Sequence, residues 1–290
     1  MAYDASREKL VLFGGYSDKS ACPPNQLCGD TWEWTAASGA WEKRTTAAGP
    51  SPRRHHAMTY DVARQRVLLF GGYDGTSRQD TWEWDGTAWT EVTPAGASPT
   101  PRQEFGLAYA VSRSRAVLFG GGDSSGADLK RDTWEWDGVA RAWTERIVSG
   151  AKPQARLGHT FAYDPPHKVV VLFGGSIASG YQSDIWEWNG TTSVWTERTP
   201  YSDALTDRSS CTMVYDATTN RMVIVDGRNT ATLDEVWEWD GDTLSLANLG
   251  SAAPMPSRFS HAMVFDSSRG KVMVFGGSST TTPLGDLWEH

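Results

Sequence analysis

The chain of 290 residues contains no run of eighteen apolar residues, so no segment is predicted to cross a bilayer as a helix. It has no charged start followed by an apolar stretch after Met1, so no signal peptide is predicted either. Basic residues are outnumbered by acidic ones, 27 to 35, and the formal net charge is −8. Nucleic acids and anionic membranes select basic surfaces, so neither is expected as a partner.

Catalytic and metal-binding motifs are also missing. The six histidines and three cysteines do not form the His-x-x-x-His or paired-cysteine spacings of metal sites. The chain has no glycine-rich loop opening a helix and no Gly-x-Ser-x-Gly elbow. We therefore predict no metal site, no cofactor and no catalytic residue, and we favour a binding protein over an enzyme.

Cysteine is scarce enough that at most one internal disulfide can form. Cys22 and Cys28 lie in the same predicted loop, Tyr16 to Gly29, where they either form a disulfide or remain reduced thiols. The sequence alone does not decide between these two states. Cys211 lies in a predicted strand and is expected to be a buried free thiol.

One pattern, repeated six times, dominates the chain. A hydrophobic strand ends in Phe-Gly-Gly, and after a variable loop the triplet Trp-Glu-Trp follows. The glycine signature stands at 13–15, 70–72, 119–121, 173–175, 225–227 and 275–277, and the tryptophan signature at 32–34, 82–84, 134–136, 186–188, 237–239 and 288–290. The fifth copy reads Val225-Asp226-Gly227, and the last ends in His290 instead of Trp. Copies of about fifty residues with four short strands are typical of β-propeller blades.

These copies predict an all-β protein with a single domain, residues 1–290, that forms a six-bladed propeller with four antiparallel strands per blade. The approximate blades are 1–50, 51–100, 101–153, 154–206, 207–256 and 257–290. The first copy lacks the start of its first strand and the last copy lacks its fourth strand. We therefore expect a fragment or an incomplete ring, with a weak seam between the first and last blades and a β-strand edge there that another chain could pair with.

The repeated side chains have predicted positions. The 15 tryptophans should fill the gaps between blades, because each one buries roughly 150–250 Å². The six glutamates between tryptophans should pair with basic residues of the hairpins that join first and second strands. The candidates are Arg64, Arg66, Arg113, Arg115, Lys168, Arg221, Arg269 and Lys271. His56, His159 and His261 share a position with Phe105 and Cys211, which favours a packed interior over a metal shell.

The order of the conserved-looking signatures within a copy resembles the Kelch repeat. Pro52-Arg53-Arg54-His55-His56, Phe70-Gly71-Gly72, Trp84 and Trp89 follow the order of that family's repeat, and the likeness extends over essentially the whole chain. The resemblance implies that the first strand of each blade is innermost. The turns Trp-Glu-Trp-Asp-Gly and Tyr-Asp-x-x-Arg-x-Arg resemble those of bacterial Kelch proteins that are often exported. A secreted or cell-surface bacterial protein is therefore favoured. Galactose oxidase shares the propeller, but its copper ligands cannot be placed in this chain.

An arginine begins the first strand of every copy except the first, at Arg53, Arg102, Arg156, Arg208 and Arg258. The resemblance implies that these arginines surround one end of the central channel, where some Kelch domains bind acidic peptides. In one interpretation they bind an anionic ligand. In the other, each pairs with the aspartate that opens a third strand, such as Asp80, Asp132, Asp184 or Asp234. The predicted ligand-binding residues are these five arginines with Arg54, His55 and Glu104.

Three functions remain open from the sequence. The first is a monomeric interaction module that presents its variable loops and the channel mouth to a protein or a small anionic ligand. The second is an enzyme acting on an acidic sugar in the channel, resembling the Kelch-type mutarotases, with Glu104 as its candidate acid or base. The third is a structural spacer in a larger surface protein.

Overall fold

The computed structural model describes residues 1–18, 22, 26–200, 205–280 and 282–290. Residues 19–21 and 23–25 of the predicted Tyr16–Gly29 loop, residues 201–204 and residue 281 lie outside the described residues. The strands are β1 (Ala2–Asp4), β2 (Lys9–Tyr16), β3 (Leu27–Thr35), β4 (Ala40–Arg44), β5 (Ala57–Asp61), β6 (Arg66–Tyr73), β7 (Ser77–Trp84), β8 (Trp89–Glu91), β9 (Gly106–Ala110), β10 (Arg115–Phe119), β11 (Thr133–Asp137), β12 (Ala142–Glu145), β13 (Thr160–Asp164), β14 (Val169–Ile177), β15 (Gly180–Asn189), β16 (Val194–Glu197), β17 (Thr212–Asp216), β18 (Arg221–Val225), β19 (Val236–Asp240), β20 (Ser245–Gly250), β21 (Ala262–Asp266), β22 (Lys271–Phe275) and β23 (Leu287–Glu289). A 3₁₀ turn spans Val111–Arg113.

The strands form six separate antiparallel sheets in which neighbours in sequence are neighbours in space. Blades one to five are β1–β4, β5–β8, β9–β12, β13–β16 and β17–β20, and blade six has the three strands β21–β23. The first strands contact one another around a ring, and β1 contacts β21. The prediction of an all-β, six-bladed propeller, incomplete at the seam between first and last blades, is confirmed.

Alternation along the strands explains why the sheets stack. In β10 and β14 almost every residue is buried, because both faces of a blade pack against neighbouring blades. The second-strand phenylalanine of one blade packs edge-on against the fourth-strand tryptophan of the next, as in Phe70–Trp143 with centroids 5.1 Å apart. Trp41 of blade one packs in the same way on Phe275 of blade six, at 5.1 Å. The seam is therefore closed by side chains as well as by β1 and β21.

The glycine pair after each second strand lets two blades approach closely. Gly71 and Gly72 have φ angles of +58° and +98°, in the region that favours glycine. A Cβ on Gly71 would lie 2.9 Å from the carbonyl oxygen of Arg102, and one on Gly72 would lie 2.7 Å from the Cβ of His56. The pair thus bends the chain at the point where the next blade begins.

The antiparallel order gives the propeller two different faces. The loop face carries the segments that join second to third strands and those that join blades. The turn face carries the short hairpins, such as 61–66 and 85–88. The second- and third-strand hairpins of blades one, two and four continue past the glycine pair, whereas β10, β18 and β22 end before it. The loop face is therefore uneven from blade to blade.

Candidate functional site

The five recurrent arginines are buried in the walls of the propeller near the loop face. Each has a relative exposure of 1% or less. Arg53 donates from Nη1 to Oδ1 of Asp80 at 2.6 Å and from Nη2 to Oδ2 at 2.7 Å, and Nη1 also reaches the carbonyl oxygen of Gly71 at 2.9 Å. The same pairs join Arg102 to Asp132, Arg156 to Asp184 and Arg258 to Asp286.

The predicted pairing with third-strand acids is confirmed for Asp80, Asp132 and Asp184, and it is wrong for Asp234. In blade five Arg208 donates from Nη2 to Glu235 Oε2 at 2.5 Å instead, and Asp234 binds Ser251 and the amide of Ala252. The longer glutamate one position later reaches the same guanidinium. Ligand binding by the five arginines stays a prediction, because their donors in the structure are directed at these acids and at main-chain carbonyls.

The paired acids are held in their ionised form. Burial opposes ionisation of Asp132, but the hydrogen bonds and charge of Arg102 outweigh it and hold the pKa of Asp132 below its ordinary value. The hydrogen bond from Arg258, with a further bond from Trp288, lowers the pKa of Asp286 to about 2. These pairs therefore stay charged at neutral pH and act as fixed struts between a first and a third strand.

A chain of main-chain hydrogen bonds borders the channel on the loop face, and we call this border the mouth. Its members are the residues two positions after each arginine, namely His55, Glu104, Gly158, Ser210 and Ser260. Each amide donates to the carbonyl of the preceding member, over distances of 3.1, 2.8, 2.7 and 2.9 Å in that order. All five have φ between +54° and +63°, so the left-handed backbone is part of the repeat.

The mouth is asymmetric in its side chains. His55 Nδ1 lies 3.1 Å from Glu104 Oε1, and both side chains are about 30% exposed or less. The other three members are Gly158, Ser210 and Ser260, so one half of the mouth has bulky ionisable groups and the other half small ones. Burial lowers the pKa of His55 and Arg54 lowers it further, while the charge of Glu104 opposes both. A neutral His55 then donates from Nδ1 to Glu104 and leaves Nε2 as an acceptor.

Two arginines of the loop face lie on aromatic rings instead of carboxylates. The Arg54 guanidinium carbon is 5.6 Å from the ring centroids of both Tyr16 and Tyr73. Arg228 lies 4.7 Å from the centroid of Phe259. Within the ranges that the structure describes, neither arginine has a carboxylate oxygen within 4.0 Å, and the buried Nε of Arg54 has no hydrogen-bond partner.

These contacts sort the predicted site residues into two groups. Arg54, His55 and Glu104 come together on the blade-two side of the mouth, with Tyr16 and Tyr73 around them. Arg53, Arg102, Arg156, Arg208 and Arg258 lie behind the mouth in the blade walls. Sequence reasoning noted Arg228 as a residue outside the repeat, but its place opposite Arg54 in the ring, on blade five, follows from the tertiary structure alone.

The remaining repeated residues have structural positions. His56 and His159 pack edge-on against Phe13 and Phe119, each with centroids 5.6 Å apart, so the packing interpretation is confirmed. Burial lowers the pKa of His159 and of His261 to about 3, which keeps both neutral. Cys211 is buried and free, and Cys22 and Cys28 form a disulfide.

The predicted partners of the strand glutamates are correct in three cases. Glu83, Glu135 and Glu289 pair with Arg64, Arg113 and Arg269. The other assignments are wrong: Arg115 and Arg221 pair with Asp137 and Asp240, Glu187 pairs with Arg198, and Glu33 pairs with Arg7 and Lys9. Arg66, Lys168 and Lys271 form no ion pair among the described residues. Side chains of the outermost strand and of neighbouring turns reach these glutamates, which the alternation of a single strand does not reveal.

The described part of the chain has no group of three or more His, Cys, Asp or Glu residues arranged to hold a metal ion. Its helical content is a single 3₁₀ turn, so no described helix has the length and apolar character needed to span a membrane.

Comparison with known proteins places the repeats in one family. Residues 1–164 match the family model described as the KLHDC2/KLHL20/DRC7 Kelch-repeats domain. Kelch domain-containing protein 1 of Mus musculus is 26% identical over 276 residues, which are 93% of this chain and 59% of that protein. The human protein of the same name is 28% identical over 215 residues, 67% of this chain and 44% of that protein.

A third relative is Leucine-zipper-like transcriptional regulator 1 of Mus musculus, which is 27% identical over 188 residues, 60% of this chain and 22% of that protein. The chain thus spans less than two thirds of the length of each of these relatives. All three are eukaryotic proteins, and a bacterial, exported origin stays a prediction. The family model covers more than half of the chain, and the repeats it describes are the blades seen in the structure, so this chain belongs to the Kelch-repeat family.

Proposed function

We propose that this chain is a protein-interaction module whose loop face binds an acidic segment of a partner. The observation that carries the proposal is the pair Arg54 and Arg228, two guanidinium groups on the loop face without a carboxylate partner among the described residues. The propeller places them on blades two and five, on opposite sides of the mouth. A segment crossing the mouth would meet both.

The chemistry of the two arginines suits a carboxylate. A guanidinium stacked on an aromatic ring keeps its in-plane N–H groups free, and their spacing matches the two oxygens of a carboxylate. The rings of Tyr16, Tyr73 and Phe259 hold each guanidinium in place, which lowers the entropy lost on binding. Because the whole chain carries a formal charge of −8, attraction to an acidic partner must be local and sensitive to salt.

The proposal is tested with a set of glutamate- and aspartate-rich peptides and variants of the two arginines. Arg54→Gln and Arg228→Gln should each weaken binding of the best peptide by roughly tenfold, the loss expected for one charge-assisted contact. Arg66 on the turn face also lacks a described carboxylate partner and binds the carbonyl oxygen of Gln65 at 2.8 Å, so Arg66→Gln is the matched control. Equal affinity of all three variants and the unchanged chain would contradict the proposal.

One observation favours a second candidate, an enzyme acting on an acidic sugar at the mouth. The His55–Glu104 pair provides an oriented neutral imidazole in a mouth whose other side is lined by small residues. Arg54 would hold the carboxylate of the sugar while His55 Nε2 accepts a hydroxyl proton. Proton NMR of anomer exchange, with and without the chain and with His55→Gln, tests this candidate. Exchange at the uncatalysed rate would exclude it for the sugars tried.

A further inference from the structure

Blade five departs from the repeat at one buried position. Asp226 stands where the other blades have the first glycine of the pair, and it keeps the left-handed backbone with φ of +51°. Its side chain is completely buried, with a relative exposure of 0%. A buried carboxyl group is costly unless it is hydrogen-bonded or neutral, so its contacts decide what it does.

The carboxyl group of Asp226 joins blade five to blade six. Oδ2 accepts the main-chain N–H of Arg258 at 3.2 Å, and Oδ1 accepts that of Glu235 at 3.2 Å. In other blades the corresponding arginine amide binds a main-chain carbonyl, as Arg102 binds Arg78 at 2.9 Å and Arg156 binds Lys130 at 3.1 Å. At this junction alone among the five such junctions, a titratable side chain has replaced the carbonyl.

The surroundings of Asp226 do not supply a free positive charge. Arg208 donates to the main-chain oxygen of Asp226 at 3.2 Å, but its charge is paired with Glu235. Arg258 is paired with Asp286, and Asp234 and Cys211 are the other ionisable neighbours on blade five. His261, on the adjoining strand of blade six, is neutral because burial lowers its pKa to about 3.

Burial raises the pKa of Asp226 to about 7, and the charge of Asp234 raises it further, while the N–H groups of Glu235 and Arg258 oppose the shift. The carboxyl group is therefore neutral and well accommodated at mildly acidic pH. Above neutral pH it must carry a charge in a buried site, and that cost is relieved only if the junction opens to water.

We propose that the contact between blades five and six is a pH-sensitive latch, held closed by protonated Asp226 and opened more often when Asp226 is ionised. Opening would separate the Arg258 amide from blade five and, beside it, the 2.9 Å mouth bond from the Ser260 amide to the Ser210 carbonyl. It would also expose Cys211, which packs so closely on Gly227 that an added Cβ there would lie 2.8 Å from the Cβ of Cys211. Arg228 adjoins this junction, so the latch would also shift one side of the mouth.

Cys211 provides a local reporter, because it is the free thiol of the chain. Its rate of modification by a small neutral disulfide reagent is measured from about pH 5 to about pH 8.5, without reductant so that the Cys22–Cys28 disulfide persists. Asp226→Asn keeps the size and left-handed tolerance of the residue but cannot ionise. Dividing the rate of the unchanged chain by that of the variant at each pH removes the titration of the thiol itself.

The latch predicts that this ratio rises from about one at the acidic end to at least about tenfold at the alkaline end, since one pKa unit corresponds to a factor of ten. A ratio that stays constant with pH overturns the proposal. Asp226→Gly, which restores the residue of the other blades but removes both acceptors, should label faster at every pH. Asp207→Asn, an exposed acid on the same blade, should leave the profile of the unchanged chain.

Hydrogen exchange of the unchanged chain keeps the proposal testable if the asparagine variant does not fold. The Arg258 and Ser260 amides should lose protection between about pH 5 and about pH 8 by at least about tenfold more than those of Arg156 and Gly158, after correction for base-catalysed exchange. The two pairs occupy equivalent positions at the mouth. Equal changes in both pairs would overturn the latch. Neither readout involves a ligand, so the result is independent of the proposed function.

Discussion

Asp132 accepts two parallel N–H bonds from Arg102, at 2.7 Å from Nη1 to Oδ1 and at 2.8 Å from Nη2 to Oδ2. The indole Nε1 of Trp134 donates to the same Oδ2 at 2.7 Å, and Arg102 also binds the carbonyl of Gly120 at 2.9 Å. One buried guanidinium thus connects the start of a first strand, the end of a second strand and the start of a third. Because the arrangement recurs in blades two to six, the arginines are structural elements of the propeller before they are anything else.

Removing one of these arginines should destabilise the fold strongly. Arg102→Ala leaves Asp132 charged and without its partner, and it leaves the Gly120 carbonyl unsatisfied. Breaking one side of a buried pair typically costs about 3–5 kcal/mol. Urea unfolding followed by tryptophan fluorescence measures the loss. As a control, Lys43→Ala removes the partly exposed Lys43–Asp30 pair, and it should cost less than about 1 kcal/mol. Similar losses for both variants would show that the buried strut is not special.

The acid side of the stability curve should reflect the same pairs. The folded-state pKa of Asp286 is about 2, below its ordinary value of 3.8, because Arg258 and Trp288 hydrogen-bond its ionised form. A depressed folded pKa contributes stability above the unfolded pKa, and that contribution is lost as the pH falls through the folded pKa. The melting temperature should therefore fall between about pH 4 and about pH 2. Asp286→Asn should flatten this part of the curve. An unchanged slope in that variant would assign the acid transition to other groups.

His167 should titrate in the opposite sense on the turn face. Its Nδ1 lies 2.9 Å from Asp164 Oδ2 and its Nε2 lies 3.0 Å from Asp242 Oδ1, which links blades four and five. Partial burial lowers the pKa of His167, but the two carboxylates outweigh burial and raise it above 6.5. The stabilisation is thus fully present below pH 6.5 and is lost as the pH rises through the folded pKa.

Proton NMR of the His167 ring measures this pKa directly. Asp164→Asn should bring the pKa down towards 6.5 by removing the less exposed of the two partners. Asp207→Asn is a control that retains both contacts of His167. A His167 pKa at or below 6.5 in the unchanged chain would refute the assignment.

The fourth-strand tryptophans reveal a coupled choice of residues between blades. Trp143 Nε1 donates to Thr81 Oγ1 of the preceding blade at 3.0 Å, and Trp89 and Trp195 do the same with Thr31 and Thr133. Blade five has Leu246 at this position, packed in the cluster that contains Ile185 in place of the threonine. Without a hydroxyl group to accept the indole N–H, an aliphatic residue is the better neighbour.

A double-mutant cycle tests this coupling. Thr81→Ile leaves a buried indole donor unsatisfied and should cost about 1–3 kcal/mol, and Trp143→Leu should cost about 2–4 kcal/mol through lost packing. The double variant reproduces the Ile185–Leu246 pair, so its loss should be smaller than the sum by about 1 kcal/mol or more. Thr144→Val, at an exposed position, should change stability by less than about 0.5 kcal/mol. Strict additivity in the cycle would show that the two positions are independent.

Much of the fold could be predicted because each repeated residue acts through a short-range rule. A glycine pair at the end of a strand, an aspartate-glycine turn and alternating tryptophans each dictate local backbone or burial, and six copies reinforce each prediction. The pairing of Arg53 with Asp80 followed from the same logic of repetition. The prediction failed at Asp234, where blade five uses Glu235, because the reach of a side chain across a sheet depends on the actual strand geometry. It also failed for partners of Glu187 and Glu33, which come from strands and turns outside the hairpin considered.

The sequence by itself determined the number of blades, the position of the glycine bends and the burial of the tryptophans, since these depend on periodicity and on residue type. The tertiary structure alone decided which arginines are free. Arg53 and Arg54 are adjacent in sequence, yet one is paired inside the blade wall and the other lies between Tyr16 and Tyr73. Adjacent residues of an extended segment point to opposite sides, and closure of the ring determines what each side meets. The meeting of His55 with Glu104 and of Asp226 with Arg258 likewise requires neighbouring blades to be docked.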